Sequence, residues 1–244
     1  MAADPEMKLG DLVARFPEAA RVLESHRIDY CCGGDRTLAE ACQAAGIDCG
    51  AVVGEIDGAV TQTRQRDAGS EVHWQDCTLT ELCDHIEQTH HNYLKTELPR
   101  LTDLIDKVVA AHGTEHPELS EVKRQFALLR AELEPHLMKE ERILFPAIRV
   151  LETAGEPPRF PFGSVANPIA MMEHEHDQAG SLLKQLRATT GDYRVPDDGC
   201  SAYQALYEAL EALEFDLHQH IHKENNILFP GAKKKEGAAS PKGR

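Results

Sequence analysis

The sequence predicts an all-α protein, built as an antiparallel four-helix bundle with a small helical domain before it. Four long segments repeat their apolar residues at the helical period, and no segment alternates in the manner of a strand. These segments lie at about residues 78–112, 117–149, 167–190 and 199–228. A second observation is an internal duplication, because HLMKEERILFP at 136–146 returns as HIHKENNILFP at 220–230. The offset of 84 residues is too long for a solenoid repeat, so half of one domain is duplicated.

Breaks in the periodicity divide the chain into domains. Between the long segments, GTEHP, TAGEPPRFPFGS and TGDYRVPDDG carry residues that end helices. Residues 1–60 contain short amphipathic runs, which predict a small helical domain. Residues 61–75 are polar and lack periodicity, so we expect a linker to the bundle at 76–232. The residues at 233–244 are rich in Lys, Gly and Ala, which predicts a disordered tail.

The composition excludes several function classes. The chain has 244 residues, and 41 acidic against 26 basic residues give it a formal net charge of −15. This charge argues against binding of nucleic acid or of an anionic membrane, and it favours cationic partners, metal ions included. No apolar stretch approaches the ~20 residues that span a bilayer. Seven cysteines without regular spacing do not suggest a secreted disulfide framework, so we expect a cytoplasmic protein with reduced thiols.

The duplicated segment places polar residues in the predicted core. At about 100° per residue, His136 and Glu140 fall on the apolar stripe of the second long helix, and His220 and Glu224 repeat this placement on the fourth. A buried carboxylate costs several kcal/mol unless a positive charge compensates it. A single pair of this kind is explained by a core histidine that is hydrogen-bonded to a glutamate one turn away. Two copies in one bundle favour a pair of divalent metal ions instead.

The first and third long helices each offer two candidate histidines. On the third, His176 faces inward with the apolar residues, whereas His174 faces outward. On the first, helical periodicity favours His90, but a shift by 85 residues along the duplication lays His91 on His176. We take His91 as the candidate and keep His90 as the alternative.

The inferred site consists of two matching half-sites, each with one histidine from one helix and a His-x-x-x-Glu pair from the next. Imidazole and carboxylate ligands without thiolate suit iron or manganese, and zinc less specifically. Carboxylates that bridge two ions in a four-helix bundle are typical of di-iron centres. The candidate ligands are His91, His136, Glu140, His176, His220 and Glu224.

Two sets of motifs resemble a known family. HLMKEERILFP, HIHKENNILFP and EHDQAG resemble the hemerythrin-like domain. IDYCCGGDRTLAEAC, near the N-terminus, resembles the Cys-Cys module fused to that domain in the repair-of-iron-centres family of di-iron proteins. The resemblance covers nearly the whole chain apart from the linker and the tail. It implies two non-haem iron ions, bridged by the two glutamates and by an oxo group, and it supports His91 over His90.

The resemblance also implies a function, the repair of iron–sulfur clusters damaged by nitric oxide or oxidative stress. The expected clients are damaged iron–sulfur proteins, the expected small ligand is nitric oxide or oxygen, and a homodimer is one candidate assembly. Oxygen-carrying hemerythrins have two histidines four residues apart on the third ligand helix, whereas Met172 and Gly180 flank His176 here. This departure disfavours oxygen carriage. The alternatives are a nitric oxide reductase at the same centre and a gas-binding or iron-storage protein.

Four further residues are functional candidates. Two glycines follow Cys31 and Cys32 and permit close backbone approach. The resemblance favours a thiol pair there that binds iron or exchanges electrons. It also suggests that Glu132 and Glu175 line the access path to the irons.

The other polar residues of interest are expected to have structural or surface roles. We expect Lys139 and Lys223 to be solvated and the prolines of the two ILFP segments to end their helices. The cysteines expected to serve in packing are Cys42, Cys49, Cys77, Cys83 and Cys200. The histidines expected to be solvated are His85, His112, His116, His218 and His222.

Overall fold

A computed structural model describes residues 3–66, 73–155 and 158–239. Within these residues the regular structure is helical, and no strand forms. The N-terminal module contains α1 (Leu9–Arg15), α2 (Ala19–Ser25), α3 (Leu38–Ala45) and α4 (Cys49–Arg66). The bundle contains α5 (Leu79–Ile86), α6 (Asn92–His112), α7 (Glu118–Lys139), α8 (Phe145–Thr153), α9 (Ala166–Thr189), α10 (Ser201–Lys223) and α11 (Phe229–Ala239). No described helix is both long enough and apolar enough to cross a membrane.

Three π-helical turns join helices of the bundle end to end. The first, Glu87–His91, joins α5 to α6; the second, Glu140–Leu144, joins α7 to α8; and the third, Glu224–Leu228, joins α10 to α11. With α9, these joined helices form the four long rods that the sequence predicts. A π turn adds a residue to a helical turn, and such turns occur frequently at functional sites.

A polar layer divides the apolar core of the bundle. One apolar cluster contains Leu133 and Leu217, which come before His136 of α7 and His220 of α10. A second contains Leu144 and Leu228, which come after them. Burial of these side chains, at about 25 cal/mol per Å² of apolar surface, holds the helices together on both sides of the layer. The polar layer lies at the level of the π turns.

The N-terminal module has an apolar core of its own, which includes Leu9 and Leu38. A capping box formed by Thr37 and Glu40 fixes the start of α3. The same core takes in Ile221 of α10. The module therefore packs directly on the helix that carries one copy of the duplicated segment.

The helix α4 is longer than the sequence predicts. It continues through Arg66, so the first part of the linker expected at 61–75 is helical. This part reads TQTRQR, whose glutamines and arginines are good helix formers even without an apolar stripe. Residues 67–72 of the expected linker lie outside the described residues.

The tail expected to be disordered is helical in its first part. The helix α11 continues to Ala239. The Glu236 carboxylate accepts hydrogen bonds from Ser164 Oγ and from the Val165 N–H at the start of α9, which ties α11 to the bundle. The rest of the expected tail, residues 240–244, lies outside the described residues.

Neither ILFP proline ends its helix, contrary to expectation. Pro146 and Pro230 are the second residues of α8 and α11, directly after a π turn. A proline ring ordinarily clashes with the carbonyl four residues back. Here those carbonyls belong to Arg142 and Asn226, within the π turns, where the wider turn relieves the clash. The helix therefore continues.

Candidate metal centre

The six ligand candidates meet in the polar layer of the bundle. All six are 3% exposed or less. Their ligand atoms fall into two clusters that share both glutamates. The six are His91, His136, Glu140, His176, His220 and Glu224.

The first cluster combines His91 with His220, whose Nε2 atoms lie 3.2 Å apart. Glu140 Oε2 lies 3.4 Å from His91 Nε2, and Glu224 Oε1 lies 3.1 Å from His220 Nε2. These residues come from α10 and from the ends of the three π turns. Four donor atoms thus converge on one small volume.

The second cluster combines His136 with His176, whose Nε2 atoms also lie 3.2 Å apart. Glu140 offers its other oxygen, Oε1, at 3.3 Å from His136 Nε2. Glu224 offers Oε2, at 3.1 Å from His176 Nε2. Each carboxylate therefore turns one oxygen toward each cluster, which is the arrangement needed to bridge two ions.

The structure shows which histidines lie together, a point that the sequence leaves open. The duplication groups His91 with His136 and His176 with His220 as half-sites, but it does not say which histidines share an ion. The structure pairs histidines from different copies. Helix α6 packs beside both α7 and α10, and His91 Nε2 points toward His220 of α10; α7 packs beside α9, where His136 Nε2 meets His176 Nε2.

The first π turn explains why helical periodicity alone favours His90. One extra residue in a turn rotates the following residues by about 100°. The first π turn ends at His91 and brings this residue, rather than His90, into the cluster. The alignment of the two copies is insensitive to this rotation and points to the residue that joins the cluster.

In two of the histidines, Nδ1 faces away from the clusters and contacts a carboxylate; we call it the outer nitrogen. His91 Nδ1 lies 2.9 Å from Glu141 Oε1, which Lys95 Nζ also contacts at 2.6 Å. His136 Nδ1 lies 2.9 Å from Glu175 Oε2. Such a partner keeps the ring proton on Nδ1 and leaves Nε2 free for an ion.

An asparagine plays the same part for a third histidine. His176 Nδ1 lies 2.8 Å from Asn225 Oδ1. Asn225 occupies in the second copy the position that Glu141 occupies in the first. Its Nδ2 also reaches the carbonyl of Cys31, at 3.4 Å, a contact that a carboxylate cannot make because it has no donor. Sequence reasoning missed both partners, although each directly follows a candidate glutamate in the duplicated segment.

His90 lies beside the first cluster rather than in it. Its ring stacks on His220, with the ring centroids 5.4 Å apart. Its Nδ1 lies 2.8 Å from Asp216 Oδ1, and its Nε2 lies 2.8 Å from Lys223 Nζ. Burial lowers the pKa of His90 to about 3 and that of Lys223 to about 8, so a neutral His90 accepts from the lysine. The expectation of a solvated Lys223 was wrong.

The chemistry of the donor set fits a pair of divalent cations. The four carboxylate oxygens of Glu140 and Glu224 are buried, and none has a hydrogen-bond partner among the described residues. Burial favours the neutral acids, but the surrounding histidines outweigh it and lower the pKa of both carboxyls. Two buried anions need compensating positive charge. Divalent ions with an affinity for imidazole and carboxylate supply that charge.

Comparison with known proteins identifies both parts of the chain. The family model described as "Hemerythrin HHE cation binding domain" matches residues 84–232, and the one described as "Domain of Unknown function (DUF542)" matches residues 5–60. The iron-sulfur cluster repair proteins YtfE of Escherichia coli O81 (strain ED1a) and of Escherichia fergusonii are each 34% identical over 228 residues. The alignments cover 93% of this chain and 96% of each relative. The chain belongs to the iron–sulfur cluster repair family of hemerythrin-domain proteins.

Membership in the iron–sulfur cluster repair family confirms the resemblance and the all-α, hemerythrin-like fold that the sequence predicts. The hemerythrin domain of this family is a cation-binding domain. The buried histidines and glutamates of the polar layer, which can hold metal ions, lie within the part of the chain that this domain covers.

In this member of the iron–sulfur cluster repair family, a narrow cavity of about 10 Å³ lies next to the second cluster. It is lined by Glu132 and Glu175 and by the imidazoles of His136, His176 and His220. Its volume is about that of one water molecule. Glu132 is exposed and Glu175 is partly buried, so both lie between solvent and the clusters. Their part in access stays a prediction.

The N-terminal module covers two histidines that the sequence places in solvent. His222 is buried against Tyr30, with ring centroids 5.6 Å apart, and burial lowers the pKa of its imidazole to about 3. His218 Nδ1 lies 3.2 Å from Glu24 Oε1. Both expectations were wrong because the polar face of α10 packs against another domain instead of facing solvent.

A second asparagine helps to hold the module on α10 and its π turn. Asn226 Nδ2 donates to the carbonyl of Cys31 at 3.1 Å. A Cβ added to Gly10 or Gly34 would come within 2.3 or 2.0 Å of Asn226 Oδ1, so this close approach needs glycine at both positions. Cys31 is thus joined to the helix segment that carries Glu224.

The five cysteines expected to pack inside differ in exposure. Cys42 and Cys83 are buried, as expected, Cys49 and Cys77 are partly buried, and Cys200 is exposed directly before α10. Its Sγ lies 3.1 Å from His112 Nε2. The partner comes from another helix, so no pattern near Cys200 reveals this contact.

Proposed function

We propose that the polar layer binds two non-haem iron ions. His91 and His220 hold one ion, His136 and His176 hold the other, and both glutamates bridge the pair. The observation that carries this proposal is that each glutamate turns one oxygen toward each cluster. The oxo bridge implied by the resemblance belongs to the same proposal.

Replacing His91 by alanine is expected to lower the iron content, whereas His90→Ala is expected to preserve it. The reason is that His91 Nε2 points into the first cluster, while His90 lies behind His220. Metal analysis and the absorption spectrum of protein purified in air measure both iron content and the oxo-bridge charge-transfer band. Iron loss in His90→Ala, with retention in His91→Ala, would reverse the assignment. A single zinc ion or no metal in the wild type would overturn it altogether.

The function that the site supports best is repair of iron–sulfur clusters damaged by nitric oxide or oxidants, by supplying iron or by removing nitric oxide. The support is a hemerythrin-type domain and a Cys-Cys module in one chain that is similar, over nearly its full length, to proteins named for this repair. The clients are damaged iron–sulfur proteins, and nitric oxide or oxygen is the small ligand. The proposed setting is the cytoplasm, with a homodimer as one candidate assembly.

A dehydratase whose iron–sulfur cluster has been destroyed by nitric oxide tests this function. We expect the iron-loaded protein to restore dehydratase activity and the metal-free protein to restore little, because its polar layer has no ion to supply or to bind nitric oxide. Ferrous salt added at the same iron concentration is the control. Equal recovery with salt alone and with loaded protein would contradict a repair role.

A nitric oxide reductase at the same centre is the second candidate function. Each cluster offers two imidazole nitrogens and two carboxylate oxygens, so an octahedral ion keeps positions for a small ligand. The narrow cavity suits a diatomic gas. Sustained turnover of nitric oxide to nitrous oxide with an electron donor favours this candidate. Recovery of the dehydratase without such turnover favours repair.

Four residues outside the ligand set receive roles in this proposal. Glu132 and Glu175 line the access path and relay protons or escort iron, and Glu175 contacts His136 directly. Cys31 and Cys32 handle iron or electrons at the surface where the N-terminal module meets the bundle.

A further inference from the structure

The N-terminal module holds a second group of metal-binding side chains. Ligand atoms of Asp29, Cys31 and Cys32 lie within 4.8 Å of one another. Cys31 Sγ lies 3.9 Å from Cys32 Sγ and 3.3 Å from Asp29 Oδ1. None of the three belongs to either cluster of the polar layer.

The spacing of these donors matches a tetrahedral ion. With metal–sulfur bonds of about 2.3 Å and metal–oxygen bonds of about 2.0 Å, two thiolates lie about 3.8 Å apart and a thiolate lies about 3.5 Å from a carboxylate oxygen. The observed distances of 3.9 and 3.3 Å agree with these values to a few tenths of an ångström. The third pair, Cys32 Sγ and the Asp29 carboxylate, lies within 4.8 Å, so one ion can bind all three donors after a small movement. Two thiolates favour ferrous iron, zinc or cuprous copper over magnesium or calcium.

The backbone of the loop at residues 29–33 keeps the donors together. Asp29 Oδ1 accepts hydrogen bonds from the N–H groups of Cys32 at 3.0 Å and Gly33 at 3.2 Å. A Cβ on Gly33 would come within 2.5 Å of the Asp29 carbonyl oxygen, so the loop needs glycine there. Lys184 of α9 pairs with Asp29 Oδ2 at 3.0 Å. Burial opposes ionisation, but Lys184 and the N–H donors hold the pKa of Asp29 at about 2, so the carboxylate is charged.

The loop borders a cleft of about 370 Å³ between the N-terminal module and the bundle. Asp29, Cys31 and Lys184 all line this cleft. An ion in this cleft can therefore reach Asp29 and Cys31. Three protein donors leave the fourth tetrahedral position open, so the bound ion can exchange.

The same loop contacts the bundle centre. The carbonyl of Cys31 accepts from Asn225 Nδ2, and Asn225 Oδ1 lies 2.8 Å from His176 Nδ1. Cys32 lies beside Gly180, one turn after His176, since a Cβ added to Gly180 would make ordinary van der Waals contact with Cys32 Sγ at 3.9 Å. The three donors thus lie on the side of the module that faces the second cluster.

We propose that Asp29, Cys31 and Cys32 form a second, open metal site that binds ferrous iron on its way to or from the bundle centre. The inference rests on the proposed handling of iron by this protein, and it adds the third donor and the metal geometry. Two thiol protons leave to solvent as two metal–sulfur bonds form, so binding involves no electron transfer. Lys184 competes for the Asp29 carboxylate and keeps the ion exchangeable.

Cobalt(II), added under argon to the reduced, iron-loaded protein, tests this site. Thiolates give cobalt an intense near-ultraviolet charge-transfer band that imidazole and carboxylate do not give, and we expect one equivalent of cobalt to develop it. Cys32→Ser and Asp29→Asn are expected to weaken cobalt binding by about tenfold or more. Lys184→Met is expected to strengthen it by up to about fivefold. Cys49→Ser, at a partly exposed cysteine of the same module that contacts Cys42, is the matched control and should keep the band.

The outcomes separate the site from its alternatives. Absence of the thiolate band in the wild type, or a band lost in Cys49→Ser and kept in Cys32→Ser, overturns the proposal. Lys184→Met keeps Asp29 and its backbone hydrogen bonds, so unchanged or weaker cobalt binding in that variant also counts against it. The dehydratase assay separates the site from the proposed function. If the wild type binds cobalt through thiolates but repairs no cluster, the proposed site stands and the proposed function fails. If it repairs the cluster but gives no thiolate band, only the proposed site fails.

Discussion

Glu140→Ala is expected to remove both iron ions, whereas loss of one histidine is expected to release mainly one. Glu140 turns Oε2 toward His91, at 3.4 Å, and Oε1 toward His136, at 3.3 Å. Each candidate histidine belongs to a single cluster, while each glutamate belongs to both. Removal of this carboxylate therefore takes a donor from each ion and half of the buried negative charge that attracts them.

Iron per chain after gel filtration measures this effect. We expect almost no iron in Glu140→Ala and about one ion in His91→Ala, against about two in the wild type. Glu134→Ala is the matched control, since Glu134 is an exposed glutamate of α7 that belongs to neither cluster and does not line the narrow cavity beside them. A Glu140→Ala protein that keeps one firmly bound iron would contradict a bridging carboxylate.

The meeting of these residues in the core could be predicted because its signal is local and occurs twice. A histidine and a glutamate four residues apart lie on one helix face whatever the rest of the fold does. On an apolar stripe the buried carboxylate of such a pair needs a compensating positive charge. Because the pair occurs twice, chance is a poor explanation for its position. His136 and Glu140, with their counterparts in the second copy, could therefore be predicted from the sequence alone.

The remaining features depend on the register of the turns and on which segments become neighbours. No residue type marks the first π turn, yet it rotates His91 into the layer in place of His90. The pairing of His91 with His220 depends on α10 lying beside α6 and on the direction in which His91 Nε2 points. The burial of His222 follows from the docking of the N-terminal module. Helical periodicity describes one helix at a time and contains none of this information.

The differences between the two copies are as informative as their likeness. The first copy continues its glutamate with Glu141 and Arg142, whereas the second continues it with Asn225 and Asn226. The residue directly after the glutamate holds the outer nitrogen of a histidine in both copies. In the second copy both residues also donate to the carbonyl of Cys31. The two asparagines, in place of charged residues, therefore distinguish the copy that packs against the N-terminal module.

As the pH rises from 6.5 to 8, the metal-free protein is expected to lose stability relative to the iron-loaded protein. Burial lowers the pKa of His136, but the carboxylates of Glu140, Glu224 and Glu175 outweigh it and raise that pKa from 6.5 to about 9. A group with a raised folded pKa stabilises the fold fully below its unfolded value and loses this contribution as the pH rises toward the folded value. From pH 6.5 to pH 8 the loss is about 2 kcal/mol.

Urea unfolding of the metal-free and iron-loaded forms under argon, at pH 6.5 and at pH 8, measures this difference. An ion bound to Nε2 of His136 replaces the proton, so the loaded form does not share the loss, and loading at neutral pH releases protons. Metal-free His136→Gln should lose less stability than the metal-free wild type over this range. Burial lowers the pKa of His90, His222 and Lys223, and these groups contribute the opposite slope in both forms, so the difference between the two forms is the quantity that reports on His136. Equal slopes in the two forms would mean that the ion does not take the place of a proton in the polar layer.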